Sequence, residues 1–246
     1  MSEPVIALNK LTKSYGKHRG IEEISFAVER GEIFGFIGPN GAGKSTTMNM
    51  LTGYLSASSG QIRINGVDLF ESPLEAKRNI GYLPELPPLY MDMTVQEYLK
   101  FMYRLKKVQG KEKREEHIAK ICEQVKLTDV RGRLIRHLSK GYRQRVGIAQ
   151  ALIGDPGILI LDEPTVGLDP NQILEIRSLI EKLGKKHTVI LSSHIMQEIQ
   201  AVCDRILILC EGRLAAYDTK ENLTRQGGQE KSLEEIFFSL TVGRDF

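Results

Sequence analysis

The sequence predicts an α/β fold with a mixed, mainly parallel sheet, an N-terminal antiparallel β subdomain and an inserted helical subdomain. One observation is a glycine-rich segment, residues 38–45 (GPNGAGKS), between an apolar run suited to a buried strand and a segment suited to a helix. A second is that short apolar strands alternate with amphipathic helices after Ser139, which is typical of a parallel sheet covered on both faces. A third is that the first 70 residues contain strands of alternating polarity and an Asn-Gly turn.

The individual elements follow from apolar periodicity. Strands are predicted at residues 5–8, 24–28, 32–37, 61–66, 158–161, 188–191, 206–209 and 213–217. Helices are predicted at residues 46–55, 94–105, 112–125, 171–183, 195–202 and 233–240. We expect one composite domain over residues 1–246, with the helical subdomain at about 74–156 and a C-terminal helix at about 231–241.

The composition is that of an ordinary globular protein. The 246 residues carry 34 Lys and Arg against 31 Asp and Glu, and a net charge of +3 gives no argument for a nucleic-acid partner. No apolar run approaches the roughly 18 residues of a membrane span, and the N-terminus lacks a signal-peptide pattern. The three cysteines have no metal-ligand spacing and predict reduced core thiols in a cytosolic protein: Cys122, Cys203 and Cys210.

Residues 38–45 match the phosphate-binding loop pattern G-x-x-x-x-G-K-[ST]. Glycines let backbone N–H groups approach phosphate oxygens, and the positive end of the following helix faces the same anion. Lys44 can reach the β- and γ-phosphates, and the Ser45 hydroxyl can ligate Mg²⁺. The loop therefore predicts the core of a P-loop NTPase, with a nucleotide site formed by Gly38, Pro39, Asn40, Gly41, Ala42, Gly43, Lys44, Ser45 and Thr46.

Two carboxylates follow the apolar run 158–161, in the sequence ILILDE. On a buried parallel strand they would lie at the carboxyl edge of the sheet, where α/β sheets bind ligands. Asp162 can hold Mg²⁺ directly or through water, and Glu163 can accept a proton from an attacking water. An acidic strand end alone is a weak signal, but its pairing with a phosphate loop favours catalysis.

A second candidate phosphate site lies at residues 138–145 (LSKGYRQR), which precede a helix running to Ile153. Ser139 could be no more than an N-cap. However, Ser139, the Gly141 backbone and a helix N-terminus together can bind phosphate. Since the first loop already holds the γ-phosphate, a second site makes sense if it serves a nucleotide on another chain.

The histidines divide into two groups. His194 follows an apolar strand together with Ser192 and Ser193, at the expected carboxyl edge of the sheet, and is a candidate site residue. The other four lie among polar residues and are predicted at the surface: His18, His117, His137 and His187.

Together these motifs resemble the nucleotide-binding subunit of an ATP-binding cassette (ABC) transporter over essentially the whole chain. GPNGAGKST resembles the Walker A motif, LILDEP the Walker B motif, LSKGYRQR the signature motif and residues 166–169 (VGLD) the D-loop. His194 matches the switch histidine, and Tyr15 matches the aromatic residue that stacks on adenine. The resemblance implies ATP and Mg²⁺ as cofactors, Glu163 and His194 positioning water, and Ser139 and Gly141 covering the γ-phosphate of a partner chain.

The resemblance also implies the surroundings of the protein. It predicts a homodimer of cassettes, a separate transmembrane permease as partner, no nucleic acid, and a peripheral location on the cytoplasmic face of the cell membrane.

Three departures from the family pattern matter. Lys140 and Tyr142 replace signature Gly and Gln, Glu85 replaces the Q-loop glutamine, and Val166-Gly167 replace the D-loop Ser-Ala. Such features go with bacterial export-type cassettes, and Glu85 is a candidate metal ligand through water.

Two other readings are weighed against this one. Soluble cassette ATPases of DNA repair or translation usually carry two cassettes or long coiled-coil insertions, and this chain has neither. A P-loop GTPase should show N/T-K-x-D, which is absent, and neither a GTPase nor a small-molecule kinase predicts LSKGYRQR.

Residues 83–93 (LPELPPLYMDM) combine three prolines with apolar residues, which rules out a regular helix. Some of these side chains could simply fill the boundary of the helical subdomain. The alternative is a groove that accepts a short cytoplasmic helix of the permease, lined by Leu86, Leu89, Tyr90 and Met91.

Overall fold

The computed structural model describes residues 3–16, 18–108, 113–225 and 231–241. Within these residues the strands are β1 (Ile6–Tyr15), β2 (His18–Val28), β3 (Ile33–Ile37), β4 (Ser59–Ile64), β5 (Val67–Asp68), β6 (Ile80–Leu83), β7 (Ile158–Asp162), β8 (Thr188–Ser193), β9 (Arg205–Cys210) and β10 (Arg213–Thr219). The helices are α1 (Lys44–Leu51), α2 (Pro73–Lys77), α3 (Val95–Leu105), α4 (Arg114–Gln124), α5 (Lys140–Leu152), α6 (Pro170–Gly184), α7 (Met196–Val202), α8 (Lys220–Thr224) and α9 (Leu233–Thr241). Short 3-10 turns occupy Thr128–Val130 and Ile135–His137.

The strands form two sheets, as predicted. The larger has the order β10-β9-β3-β8-β7-β6, in which only the β9–β10 pair is antiparallel. The smaller is an antiparallel sheet of the order β2-β1-β4-β5. The predicted Asn-Gly turn joins β4 to β5, with both Asn65 and Gly66 at positive φ. The predicted α/β fold with an N-terminal antiparallel subdomain is therefore confirmed.

Both faces of the large sheet are buried, because successive side chains of its strands enter different cores. In β7, Leu159 and Leu161 pack on one side, while Ile158 and Ile160 pack on the other. The second core continues into the small sheet through stacked aromatic rings, and the Phe26 and Phe34 centroids lie 5.4 Å apart. This fixes the antiparallel sheet beside the phosphate loop.

Capping residues explain where several helices begin. Thr94 accepts a hydrogen bond from the Glu97 backbone N–H (3.2 Å) and Glu97 accepts one from the Thr94 N–H (2.8 Å), a capping box that starts α3. Asp169 caps α6 at the Gln172 N–H, and Pro170 occupies the first turn. Both helices were predicted from periodicity, and their caps fix the starting residue.

The structure differs from the sequence prediction in several places. The predicted helical range 74–156 contains the strand β6, which pairs with β7 at the edge of the large sheet. The predicted surface residue His187 is buried, with Nδ1 2.7 Å from the Pro156 carbonyl oxygen. The predicted helix 112–125 begins at Arg114, and Glu112 lies outside the described residues.

Two other predictions concern the cysteines, expected as reduced core thiols, and the absence of a membrane-spanning helix. Cys122 and Cys203 are buried and Cys210 is partly buried, and none of the three forms a disulfide bond within the described residues. None of the helices in the described ranges combines the length and the apolar character needed to cross a bilayer.

Candidate active site

The carboxyl ends of three neighbouring parallel strands, β3, β7 and β8, meet at one open cleft of about 600 Å³, a size typical of ligand sites. The cleft holds most of the predicted site residues. Its lining consists of Tyr15, Gly20, Asn40, Gly41, Gly43, Lys44, Ser45, Thr46, Glu85, Glu163, Val166 and His194.

The phosphate loop joins β3 to α1, and glycine is required at several of its positions. Gly41 and Gly43 adopt positive φ, +81° and +103°. A Cβ at Gly43 would overlap the Ile21 side chain, and one at Gly38 would lie 2.6 Å from the Leu209 carbonyl oxygen. The first turn of α1 has no side-chain cap and no acidic residue, so its N–H groups remain available to an anion.

Lys44 is only 7% exposed, and its ammonium donates to the carbonyl oxygens of Gly38 (2.7 Å) and Pro39 (3.3 Å). Burial lowers the pKa of Lys44, while the carboxylates of Glu163, Asp162 and Glu85 act in the opposite direction. A buried ammonium next to a loop of backbone N–H groups can neutralise phosphate charge.

The two carboxylates at the end of β7 are fixed by the neighbouring strand. Asp162 is buried and accepts a hydrogen bond from the Ser192 hydroxyl of β8 at 2.5 Å. The Glu163 backbone N–H donates to the same hydroxyl at 3.0 Å. The backbone of Glu163 lies at φ +48°. This left-handed conformation costs a residue other than glycine about 1–2 kcal/mol, and such strain is typical of functional sites.

His194 is the direct partner of Glu163. Its Nδ1 lies 2.8 Å from Glu163 Oε2, and its side chain is 46% exposed to the cleft. A carboxylate held by an imidazole at an open cleft is an arrangement suited to binding and deprotonating water. The sequence predicted both residues, but not their mutual hydrogen bond.

Tyr15 ends β1 and is half exposed at the rim of the cleft. Its ring lies over Gly20, where an added Cβ would come within 2.7 Å of the ring edge. The Lys13 ammonium lies 5.4 Å from the ring centre. Gly20 was not predicted as a site residue, because its closeness to this ring is not visible in the sequence.

Ser139 and Gly141 lie apart from this cleft and line a second, smaller pocket of about 150 Å³. Ser139 is the N-cap of α5, as the sequence allowed, but its hydroxyl accepts from the Tyr142 N–H at 3.5 Å, a weak bond. Gly141 lies against Gln172 of α6, whose amide carbon would be 2.8 Å from an added Cβ. The chain alone does not bring its two candidate phosphate sites together.

Glu85 follows β6 and lines the main cleft as an exposed side chain. Behind the cleft lie polar residues that the sequence analysis did not identify. Thr165 and Glu198 are buried and hydrogen-bonded to each other at 2.6 Å. The sequence signal for these hydrogen bonds is limited to the two adjacent hydroxyl residues, Ser192 and Ser193, before His194.

Known proteins resemble the chain in sequence and in structure. The ABC transporter family model matches residues 21–166. The uncharacterized ABC transporter ATP-binding protein YhcH of Bacillus subtilis (strain 168) is 42% identical over 212 residues, which covers 85% of this chain and 68% of that protein. The bacitracin transport ATP-binding protein BcrA of Bacillus licheniformis is 40% identical, with the same coverage of each chain.

A solved structure of the ATP-binding subunit of an ABC transporter superposes with a TM-score of 0.85 and 32% identity, and the match covers 96% of this chain and 99% of that one. The family match spans more than half of the chain and includes the phosphate loop, the signature segment and the end of β7. A GTPase or a small-molecule kinase is thereby excluded. The chain belongs to the ABC transporter family, as an ATP-binding cassette ATPase.

Proposed function

We propose that the chain hydrolyses Mg-ATP as one half of a two-chain sandwich and that this cycle drives a separate membrane permease. The observation that carries the proposal is the position of Ser139 and Gly141, which line a pocket distinct from the cleft that holds Lys44. A second copy related by a twofold axis would place each of these pockets over the partner's cleft. Two complete sites would then form together.

The residues of the cleft would divide the work of hydrolysis. The loop from Gly38 to Thr46 binds the triphosphate, with Lys44 as the counter-charge. Glu163 accepts the proton of the attacking water, and His194 holds that carboxylate and the water in place. The partner's copy of Ser139 closes the γ-phosphate end, which excludes solvent and strengthens these electrostatic interactions.

The chain offers oxygen ligands that fit Mg²⁺, the ion that would neutralise charge on the β- and γ-phosphates. Ser45 lies in the cleft, and Asp162 is buried at the end of β7. The described residues contain no group of three or more His, Cys, Asp or Glu that could hold a metal. Phosphate and water oxygens would therefore complete the ligand set, with Glu85 placed to bind one such water.

The docking segment, residues 83–93, supports a permease partner. Leu86 is 84% exposed, Tyr90 51% and Met91 40%, whereas Leu89 packs partly into the core. Tyr90 also packs edge-on against Tyr98 and Phe101 of α3, with ring centroids 6.1 and 5.4 Å away. The predicted filling role thus applies to Leu89 and in part to Tyr90, while Leu86 and Met91 remain at the surface for an apolar helix.

This segment is also connected to the signature motif. The Ile135 N–H donates to the Met93 carbonyl (2.9 Å) and the Arg136 N–H donates to the Met91 carbonyl (3.1 Å). Arg136 and Asp92 add an ion pair at 2.8 Å. Since Ser139 follows three residues later, a permease helix bound at the docking segment would move together with the residue that covers the partner's ATP.

Two relatives suggest the direction of transport. One is named for bacitracin transport, and a second, YbhF of Escherichia coli (strain K12), is named a probable multidrug ABC transporter ATP-binding protein. The latter is 37% identical over 246 residues, and the match covers 42% of its length. We therefore propose export, with the cassette attached peripherally to the cytoplasmic face of the membrane.

Mixing two inactive variants tests the sandwich. Ser139→Arg blocks the surface that covers the partner's ATP, and Glu163→Gln removes the general base of the chain's own site. In mixed dimers one site carries both defects and the other carries none. Equimolar mixing should restore about one quarter of wild-type ATPase activity, because half of the dimers are mixed and each has one intact site.

The control is each variant alone at the same total concentration, which should stay near background. ATP binding to Ser139→Arg at low protein concentration should match that of wild type. If mixing restores nothing, or if Ser139→Arg abolishes ATP binding by the single chain, Ser139 belongs to the chain's own site and the sandwich is wrong.

A further inference from the structure

Glu198 is a buried acid that the proposed mechanism does not use. It lies in the first turn of α7 and is 6% exposed. Its Oε2 accepts hydrogen bonds from the Thr165 hydroxyl (2.6 Å) and the Ser193 hydroxyl (2.9 Å). Its Oε1 is buried and accepts no hydrogen bond from the described residues.

A contribution to stability does not explain why Glu198 is buried in this arrangement. A buried carboxylate needs a cation or a full set of donors to offset its desolvation. Glu198 has two hydroxyl donors on one oxygen, and it takes part in none of the ion pairs found among the described residues. A buried acid with an oxygen that lacks a hydrogen-bond partner among the described residues is expected at functional sites rather than in a core selected for stability.

The two hydroxyls connect Glu198 to the loop after β7 and to the last residue of β8. Thr165 lies two residues after Glu163, in a turn closed by the Val166 N–H donating to the Glu163 carbonyl (3.2 Å). Ser193 directly precedes His194, and its hydroxyl also accepts from the Ile195 N–H at 3.0 Å. One carboxylate therefore ties together the residues that flank Glu163 and His194.

We propose that Glu198 is a positioning residue that sets the geometry of the Glu163–His194 pair. The inference rests on the proposed function of that pair in activating water. The 2.8 Å contact between Glu163 and His194 joins the loop after β7 to the loop after β8, and these loops come from separate strands. Glu198 is hydrogen-bonded to Thr165 in the first of these loops and to Ser193, the residue before the second, so the pair has a second, buried connection that keeps it aligned.

The first test compares Glu198→Ala with Glu198→Gln and with Glu181→Ala, a control acid that is exposed on α6. Glu198→Ala should lower kcat by about 10–100-fold with KM for ATP nearly unchanged, because small misplacement of catalytic groups costs this much. Glu198→Gln keeps an acceptor for the hydroxyls and should retain most activity. Glu181→Ala should behave as wild type.

A double variant separates positioning from a general loss of structure. In a His194→Ala background the aligned pair no longer exists, so Glu198→Ala should lower kcat little further, as for residues that act as a unit. A loss that is the same with and without His194 would overturn the proposal.

A second readout needs no nucleotide and no turnover. In Glu198→Ala, amide hydrogen exchange should quicken in peptides covering both residues 163–168 and 192–196, and stay unchanged in β3 and α3. If Glu198→Ala does not fold, Thr165→Val and Ser193→Ala each remove one of the two hydroxyl bonds, and each should lower kcat in the same direction.

Wild-type kcat and unchanged exchange in these variants would overturn the role of Glu198 while the ATPase itself stands. An inactive wild-type protein would instead count against the proposed function, so the two failures are distinguishable.

Discussion

The Lys140 ammonium, at the end of a flexible side chain, lies in the space that a Cβ at position 167 would occupy. Both residues depart from the family pattern, Lys140 in the signature motif and Gly167 in the D-loop. Gly167 also has φ +66°, a conformation that glycine adopts without strain. The contact between these two residues places the start of α5 beside the loop that follows Glu163.

Gly167→Ala should lower the free energy of unfolding by about 1–2 kcal/mol because of the left-handed backbone, and displacing the flexible end of Lys140 should add a smaller cost. In a Lys140→Ala background the same change should cost less, because only the backbone strain remains. Urea unfolding of the four proteins measures both costs. Equal costs in the two backgrounds would show that the lysine simply moves aside.

Lys44→Ala should abolish measurable ATP binding, because the buried phosphate cluster loses its counter-charge. Isothermal titration with ATP measures this, and Lys182→Ala, an exposed change on α6, serves as the control. The variant should remain folded by circular dichroism. ATP affinity within about twofold of wild type would contradict the assignment of the phosphate loop.

Tyr15→Ala should weaken ATP binding by about 1–3 kcal/mol if the ring stacks on adenine, with base stacking on aromatic side chains as the guide. Tyr15→Phe should bind nearly as wild type, since stacking needs no hydroxyl group. Both affinities can be compared by titration with a fluorescent ATP analogue. A large defect in the Phe variant would point to a hydrogen bond instead.

Burial lowers the pKa of Lys106 to about 8, although its ammonium donates to three carbonyls at the end of α5, those of Gln150, Ala151 and Ile153. The unfolded-state pKa is about 10.4, so between pH 8 and 10 the unfolded chain binds a proton that the native state lacks. Stability relative to Lys106→Met should therefore rise over this window. If the difference in unfolding free energy between wild type and Lys106→Met stays flat or falls from pH 8 to 10, the lowered pKa of Lys106 is wrong.

The sequence was enough to predict the phosphate loop, the paired acids and the strand–helix alternation, because each depends on local spacing. It did not predict β6, since Ile80–Leu83 is only four residues long, contains Gly81 and precedes Pro84. Its strand character comes from pairing with β7, a partner far along the chain. His187 was predicted at the surface for the same reason, because its polar neighbours in sequence do not reveal the Pro156 carbonyl beside it.

The sequence also did not predict the hydrogen bonds among the buried residues behind the cleft. The bonds from Ser192 to Asp162 and from Thr165 to Glu198 join residues 30 and 33 positions apart. They arise because β7 and β8 are parallel neighbours whose carboxyl ends meet. A periodicity analysis gives the strands but not which hydroxyl faces which carboxylate.

We propose that Glu163 is the general base of an ATPase that works as a dimer, and single-turnover hydrolysis by Glu163→Gln tests this role most directly. The variant should bind ATP as wild type does but hydrolyse it about 10²–10⁴ times more slowly, as for loss of a general base. ATP-dependent dimers should then accumulate on gel filtration. Hydrolysis of ATP by Glu163→Gln at the wild-type rate would show that Glu163 is not the general base.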